Sequence, residues 1–66
     1  MPEFKDKVSI DDVTCLKSTD KACLCLIGTE EMWIPQSQID DDSEVYSEGD
    51  EGTLVISQWI AEQKGL

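Results

Sequence analysis

The residues of this chain that could do chemistry are its carboxylates and its thiols, and the carboxylates are distributed unevenly. Between Ala22 and Gln63 there is no basic residue, while ten carboxylates occur: Glu30, Glu31, Asp40, Asp41, Asp42, Glu44, Glu48, Asp50, Glu51 and Glu62. Seven of the ten fall within the twelve residues Asp40 to Glu51. Positive charge is confined to Lys5, Lys7, Lys17, Lys21 and Lys64, with no arginine and no histidine. A field of one sign steers oppositely charged partners and repels nucleic acid and anionic membrane.

Carboxylates at this density raise the question of calcium. Counted from Asp40, the acidic positions of an EF-hand loop would be Asp40, Asp42, Glu44, Glu48 and Glu51. The position that must be glycine for the sharp turn is Val45, and the flanks are strand-like rather than helical. Weak, roughly millimolar divalent binding is the most this pattern supports. Catalysis is poorly served. Without histidine or arginine there is no Ser-His or Cys-His pair and no guanidinium clamp, and a general acid needs a carboxyl partly desolvated in a cleft. Gly28, Gly49, Gly52 and Gly65 do not form a phosphate-binding loop. Direct nucleic-acid binding would require lysines and arginines that release counterions.

Three cysteines cannot all pair within the chain. Cys23 and Cys25 share one face of an extended segment, with Cα atoms roughly 6.5–7 Å apart, at or beyond disulfide reach. A soft metal site is the functional reading. With no histidine and no C-x-x-C spacing, three small buried hydrophobes in a reducing compartment is the reading favoured.

The elements that must position these groups follow from the apolar pattern. Lys7 to Lys17 reads as a strand in which Asp11-Asp12 interrupts the alternation, as a bulge or a short turn would. Ser18 to Lys21 has turn composition. Ala22 to Ile27 is apolar on both faces and reads as a central strand covered on both sides. Gly28-Thr29-Glu30 turns the chain into a third strand, Glu31 to Ile34, which Pro35 ends. Gln36 to Ile39 suits one helical turn, Asp40 to Glu51 is an acidic loop or edge, and Thr53 to Ile56 is the last strand. Ser57 is an N-cap for a helix Gln58 to Lys64, with Gly65 at C′ and Leu66 as a capping contact. Trp59 and Ile60 are expected to face the core, and Trp33 is likewise read as packing.

The expected fold is mainly β with one short C-terminal helix, a small bent sheet or barrel of OB-like or SH3-like kind with four to five strands in a single domain spanning residues 1–66. Sixty-six residues hold one thin core. The start of the chain lacks the apolar run of a signal peptide, and no run approaches the ~20 residues that span a bilayer, so a soluble, intracellular protein is expected.

The acidic segment then has two readings. One is a solvated edge that keeps a small sheet from aggregating. The other is imitation of a nucleic-acid backbone. Seven carboxylates over twelve extended residues give one per roughly 5–6 Å, sparser than the ~3.4 Å of a phosphate strand unless Glu30, Glu31 and Glu62 lie close by.

The run Trp33-Ile-Pro-Gln-Ser-Gln-Ile39, followed by Asp41-Asp-Ser-Glu-Val45, Gly49-Asp-Glu-Gly52 and Trp59-Ile-Ala-Glu-Gln-Lys-Gly-Leu66, resembles a family of small acidic proteins encoded by bacteriophages and prophages. The resemblance covers Ala22 to Leu66, and its most specific part is the WIPxSQI piece followed by DDSEV. Where such sequences often carry lysine after the proline, this chain has Gln36. The family says little about activity. By class analogy with anti-CRISPR and anti-restriction inhibitors, the resemblance implies a non-enzymatic, cofactor-free and metal-free protein in the cytoplasm of a bacterial host. Its partner would be a host DNA-binding protein with a basic groove, met through Asp40, Asp41, Asp42, Glu44, Glu48, Asp50 and Glu51, joined by Glu30 and Glu31. The rival reading is an assembly module that binds through an apolar face containing Val45, Tyr46 or Trp33.

Overall fold

The computed structural model describes residues 4–66 as four antiparallel strands in one open sheet, followed by a short helix. The strands are β1 (Lys7–Ser18), β2 (Ala22–Ile27), β3 (Glu30–Pro35) and β4 (Glu51–Ser57), in the spatial order β3-β2-β1-β4. The bent-sheet form of the expectation therefore holds, and the closed-barrel form does not. Two tight turns join the first three strands. At the first, Thr19 N–H donates to the Ala22 carbonyl (2.8 Å) while the Thr19 hydroxyl accepts from Ala22 N–H (3.1 Å). The second is Gly28-Thr29, where Gly28 supplies the positive φ of 65° that a two-residue hairpin needs.

β1 is long enough to serve two partners. Its second half, Val13 to Ser18, pairs with β2, and its first part, Lys7 to Thr14, pairs with β4, with the β4 register breaking between Ile10 and Val13. Asp12 sits there at φ 58°, a left-handed conformation that aspartate tolerates better than most residues. The Asp11-Asp12 interruption is thus a β-bulge, and it bends the strand.

From β3 the chain makes a single 3₁₀ turn (Gln36–Gln38) and crosses to the far side of the sheet. The crossover returns beside β4. Ile39 bridges Ile56, Asp40 N–H donates to the Val55 carbonyl (2.8 Å), and Glu44 N–H donates to the Thr53 carbonyl (3.0 Å). Ile39 and Val45 point inward and are fully buried, so the acidic segment is stitched to the core by its two aliphatic residues. The core is completed by Val13, Cys15, Cys23, Cys25, Ile34, Leu54, Ile56, Ile60 and Ala61.

The helix α1 (Gln58–Gln63) starts and stops as its residues dictate. The Ser57 hydroxyl accepts from Ile60 N–H (3.3 Å), the N-cap bond. At the other end, Gly65 at φ 73° lets its N–H reach the Glu62 carbonyl and Leu66 N–H reach the Ala61 carbonyl (2.8 Å), a Schellman closure.

Two packing expectations are corrected. Trp59 is 60% exposed and Trp33 44% exposed, so neither is a core residue. A six-residue helix presents only a narrow inner face, and Ile60 and Ala61 occupy it. In β3 the pairing of Ile34 with buried Cys23 sends Trp33, one residue away, to the opposite face. The second correction concerns β2. It is an interior strand, but only its Cys23/Cys25 face is covered, while Leu24 and Leu26 stay half-exposed on the other.

Candidate functional site

The acidic residues sort into those spent inside the fold and those presented to solvent. Asp40 belongs to the first group. It is fully buried and accepts from Phe4 N–H (2.7 Å) and Asp42 N–H (2.8 Å), with the Lys7 ammonium at 3.4 Å. The Phe4 amide, then the Asp42 amide and Lys7, hold its carboxyl below the usual carboxylate range. Asp40 is a structural clasp between the chain start and the crossover, which removes it from the expected contact face. Asp42 is exposed, yet it pairs with the same ammonium at 3.0 Å, and that bond is the main reason the Lys7 pKa is raised.

Asp50 is half-buried and also used locally. Its Oδ2 accepts from the Ser47 hydroxyl (3.0 Å), Ser47 N–H (3.0 Å) and Tyr46 N–H (3.3 Å), and these bonds, led by the hydroxyl, lower its pKa. Glu44 is exposed but its Oε1 accepts from Thr53 N–H (2.9 Å). That carboxylate lies over Gly52, where an added Cβ would come within 2.8 Å of it. Three of the nine expected contact residues are therefore scaffold: Asp40 wholly, Asp50 and Glu44 in part.

Asp41, Glu48, Glu51, Glu30 and Glu31 stand exposed. The sheet register relates Glu31 to Glu51 and puts Glu30 on the opposite face of β3. Glu31 pairs with Leu26, Leu26 with Thr14 and Thr14 with Glu51, so Glu31 and Glu51 end one row on the same face. Three strand spacings separate them by roughly 14 Å. Sequence reasoning missed Asp11 and Asp12 as members of this surface. The bulge places Asp11 within 3.1 Å of the Thr53 hydroxyl and Asp12 beside Glu51 in a shallow depression of about 280 Å³. Their signal was in the sequence as an acidic doublet at the bulge, but only the β1–β4 pairing joins it to Glu51.

Gln36, where the resembling sequences often carry lysine, has a definite place. Its amide nitrogen lies 3.1 Å from Cys23 Sγ and 3.2 Å from the Tyr46 carbonyl, tying the far half of the acidic segment to β2. Cys23 Sγ also donates to the Tyr46 carbonyl at 3.0 Å. All three thiols are free and buried, with Cys15 and Cys25 directly opposite each other across β1 and β2. Burial, reinforced by the neighbouring Cys15, pushes Cys23 and Cys25 up to about 12. Both should resist alkylation by iodoacetamide at pH 8 in the native state, reacting roughly 10³-fold more slowly than in urea, because the thiolate is the nucleophile. Native rates matching unfolded ones would show that the core opens freely.

Among the described residues no group of three histidine, cysteine or acidic side chains is placed to hold a metal ion, so the EF-hand-like spacing from Asp40 is not assembled in space. A concavity of about 760 Å³ is an open groove between Phe4–Asp6 and α1, with Phe4, Lys5 and Trp59 on its walls. Among the described residues no helix is long and apolar enough to cross a membrane.

No family model matches the chain, and comparisons with curated proteins and with solved structures likewise give no match. The functional reading therefore stands on geometry and charge.

Proposed function

We propose that this chain is a non-enzymatic binding protein that docks exposed carboxylates on a basic, nucleic-acid-binding surface of another protein. By occupying that surface it would inhibit in the manner of an anti-CRISPR or anti-restriction mimic. The observation that carries the reading is the anchoring of the acidic segment. A merely solubilising run needs no fixed shape, yet residues 39–50 are held by two buried aliphatic residues and by bonds to β1, β2 and β4. Glu48 N–H reaches the Ser18 hydroxyl (3.2 Å) and Gly49 N–H the Cys15 carbonyl (2.9 Å), so this loop is fastened at both ends. Charges held in advance lose little ordering entropy on binding. The face differs from the one expected from sequence: Glu48, Glu51 and Glu31, extended by Asp11, Asp12 and Asp41, with Glu30 turned to the opposite face of β3 and Asp40 supporting from inside.

Reversing Glu31, Glu48 and Glu51 together to lysine tests this, since none of the three side chains supports the fold through a bond described above. With a partner captured from nuclease-treated lysate, the native protein should displace a labelled duplex from it. The triple variant should compete about 100-fold less well, and raising salt from about 50 to 200 mM should weaken native binding at least tenfold. Undiminished competition by the triple variant would sink the proposal.

One observation favours a second reading, an assembly module with an apolar contact face. Trp33 stands exposed directly across from half-exposed Leu24, on a sheet face that the helix does not cover. Binding of that kind would survive high salt and be lost in Trp33→Ala.

A further inference from the structure

The two edges of the sheet are treated differently. Along β4 every outward-facing main-chain group of Thr53 and Val55 has a partner. Their carbonyls accept from Glu44 N–H (3.0 Å) and Asp40 N–H (2.8 Å), and their N–H groups donate to Glu44 Oε1 (2.9 Å) and Ser43 Oγ (3.1 Å). Among the described residues β3 has no such cover. Its pairing with β2 is unbroken from Ala22↔Pro35 to Ile27↔Glu30. Gln36 N–H bonds to the Lys21 carbonyl (2.8 Å), and the alternation of an antiparallel ladder then turns Ile34, Met32 and Glu30 toward β2. The N–H and C=O of Glu31 and Trp33, with the Pro35 carbonyl, face outward. An open, regular edge is what natural sheets ordinarily cover or distort.

We infer that the β3 edge is a docking site for an extended segment of another protein, added as a fifth strand and carrying lysine or arginine at alternate positions. The alternation follows from the face each residue takes. Residues of an added strand beside Glu31 and Trp33 would lie on the open face, where a cation meets a carboxylate and an aromatic ring. The residues between them would lie on the other face beside half-buried Met32, which favours an apolar side chain. Charge decides against a second copy as occupant. Each chain carries −10, and self-pairing would bring the Glu30 and Glu31 of both copies to one seam with no lysine on either β3. This inference rests on the chain being a binding protein, and not on its partner being a nucleic-acid-binding one.

The test is native-state amide hydrogen exchange with three synthetic hexapeptides: alternating lysine and valine, the same peptide N-methylated at alternate amides, and alternating glutamate and valine. The lysine–valine peptide should raise protection of the Glu31 and Trp33 amides about tenfold or more, and the other two should leave it unchanged. Trp33→Ala and Glu31→Lys, both at exposed positions, should lose the effect while retaining the native spectrum. Unchanged protection up to about 1 mM peptide, or an equal effect from the N-methylated peptide, overturns the inference. Protection that rises with protein concentration alone also overturns it, in favour of a second copy. If protection fails to rise while duplex displacement holds, strand addition falls and the competitor reading stands.

Discussion

Ile39→Ala is expected to leave the chain largely unfolded at 37 °C. Ile39 is fully buried, bridges Ile56 and is the residue through which the crossover first enters the core. Truncating a buried isoleucine costs about 2–5 kcal/mol, through lost transfer energy and the cavity left behind. A chain of this length has a total stability of about 3–10 kcal/mol, so one such loss consumes a large share. The consequence is also local. Without Ile39 the Asp40 and Glu44 amides lose their hold on the Val55 and Thr53 carbonyls, and the β4 edge opens. Urea denaturation followed by far-ultraviolet circular dichroism measures the effect. Leu16→Ala, at a position 40% exposed, serves as the control and should cost less than about 1 kcal/mol. A loss in Ile39→Ala no larger than the control would mean that the crossover is held by its hydrogen bonds alone.

Asp40→Ala is expected to lower the thermal midpoint by roughly 10 °C. The substitution leaves the Phe4 and Asp42 amides without their acceptor and removes a partner from Lys7. Unsatisfied buried donors cost more than the bond itself contributed. The same residue sets a pH dependence. Its folded pKa is depressed, so its contribution is present above the ordinary aspartate value near 3.8 and is lost as pH falls through the lower, folded value. Asp50 acts with the same sign, through the Ser47 hydroxyl and the amides of Tyr46 and Ser47. The native protein should therefore lose stability below about pH 4, and Asp40→Asn should show a shallower acid limb in thermal melts. An Asp40→Asn limb as steep as the native one would assign acid unfolding elsewhere.

Asp40 also marks the limit of what could be read from the chain alone. As the first of three consecutive aspartates it read as part of an acidic loop or edge and of the expected contact face. Its partners lie far away in sequence, at Phe4 and Lys7, and no local pattern announces them. Trp33 and Trp59 failed in the opposite direction. Large aromatic residues in apolar patterns are usually packed, but here small buried residues, the paired cysteines and Ala61, fill the inner face. The fold class, the β2 boundaries, a break in β1 at Asp11-Asp12 and both helix caps were legible, because each rests on neighbours within a few positions; that the break is a bulge rather than a short turn follows from the β1–β4 pairing.

The sequence by itself thus determined where strands and turns form and that the molecule carries a one-signed field. Alternation, turn chemistry and capping act over a handful of residues, and net charge needs no structure at all. Only the tertiary structure decided which carboxylates face solvent, which sheet edge is closed and which tryptophan is presented. Those outcomes depend on the crossover returning beside β4 rather than β3, and its hydrogen bonds consume acids on one side while leaving Glu30, Glu31 and Trp33 open on the other.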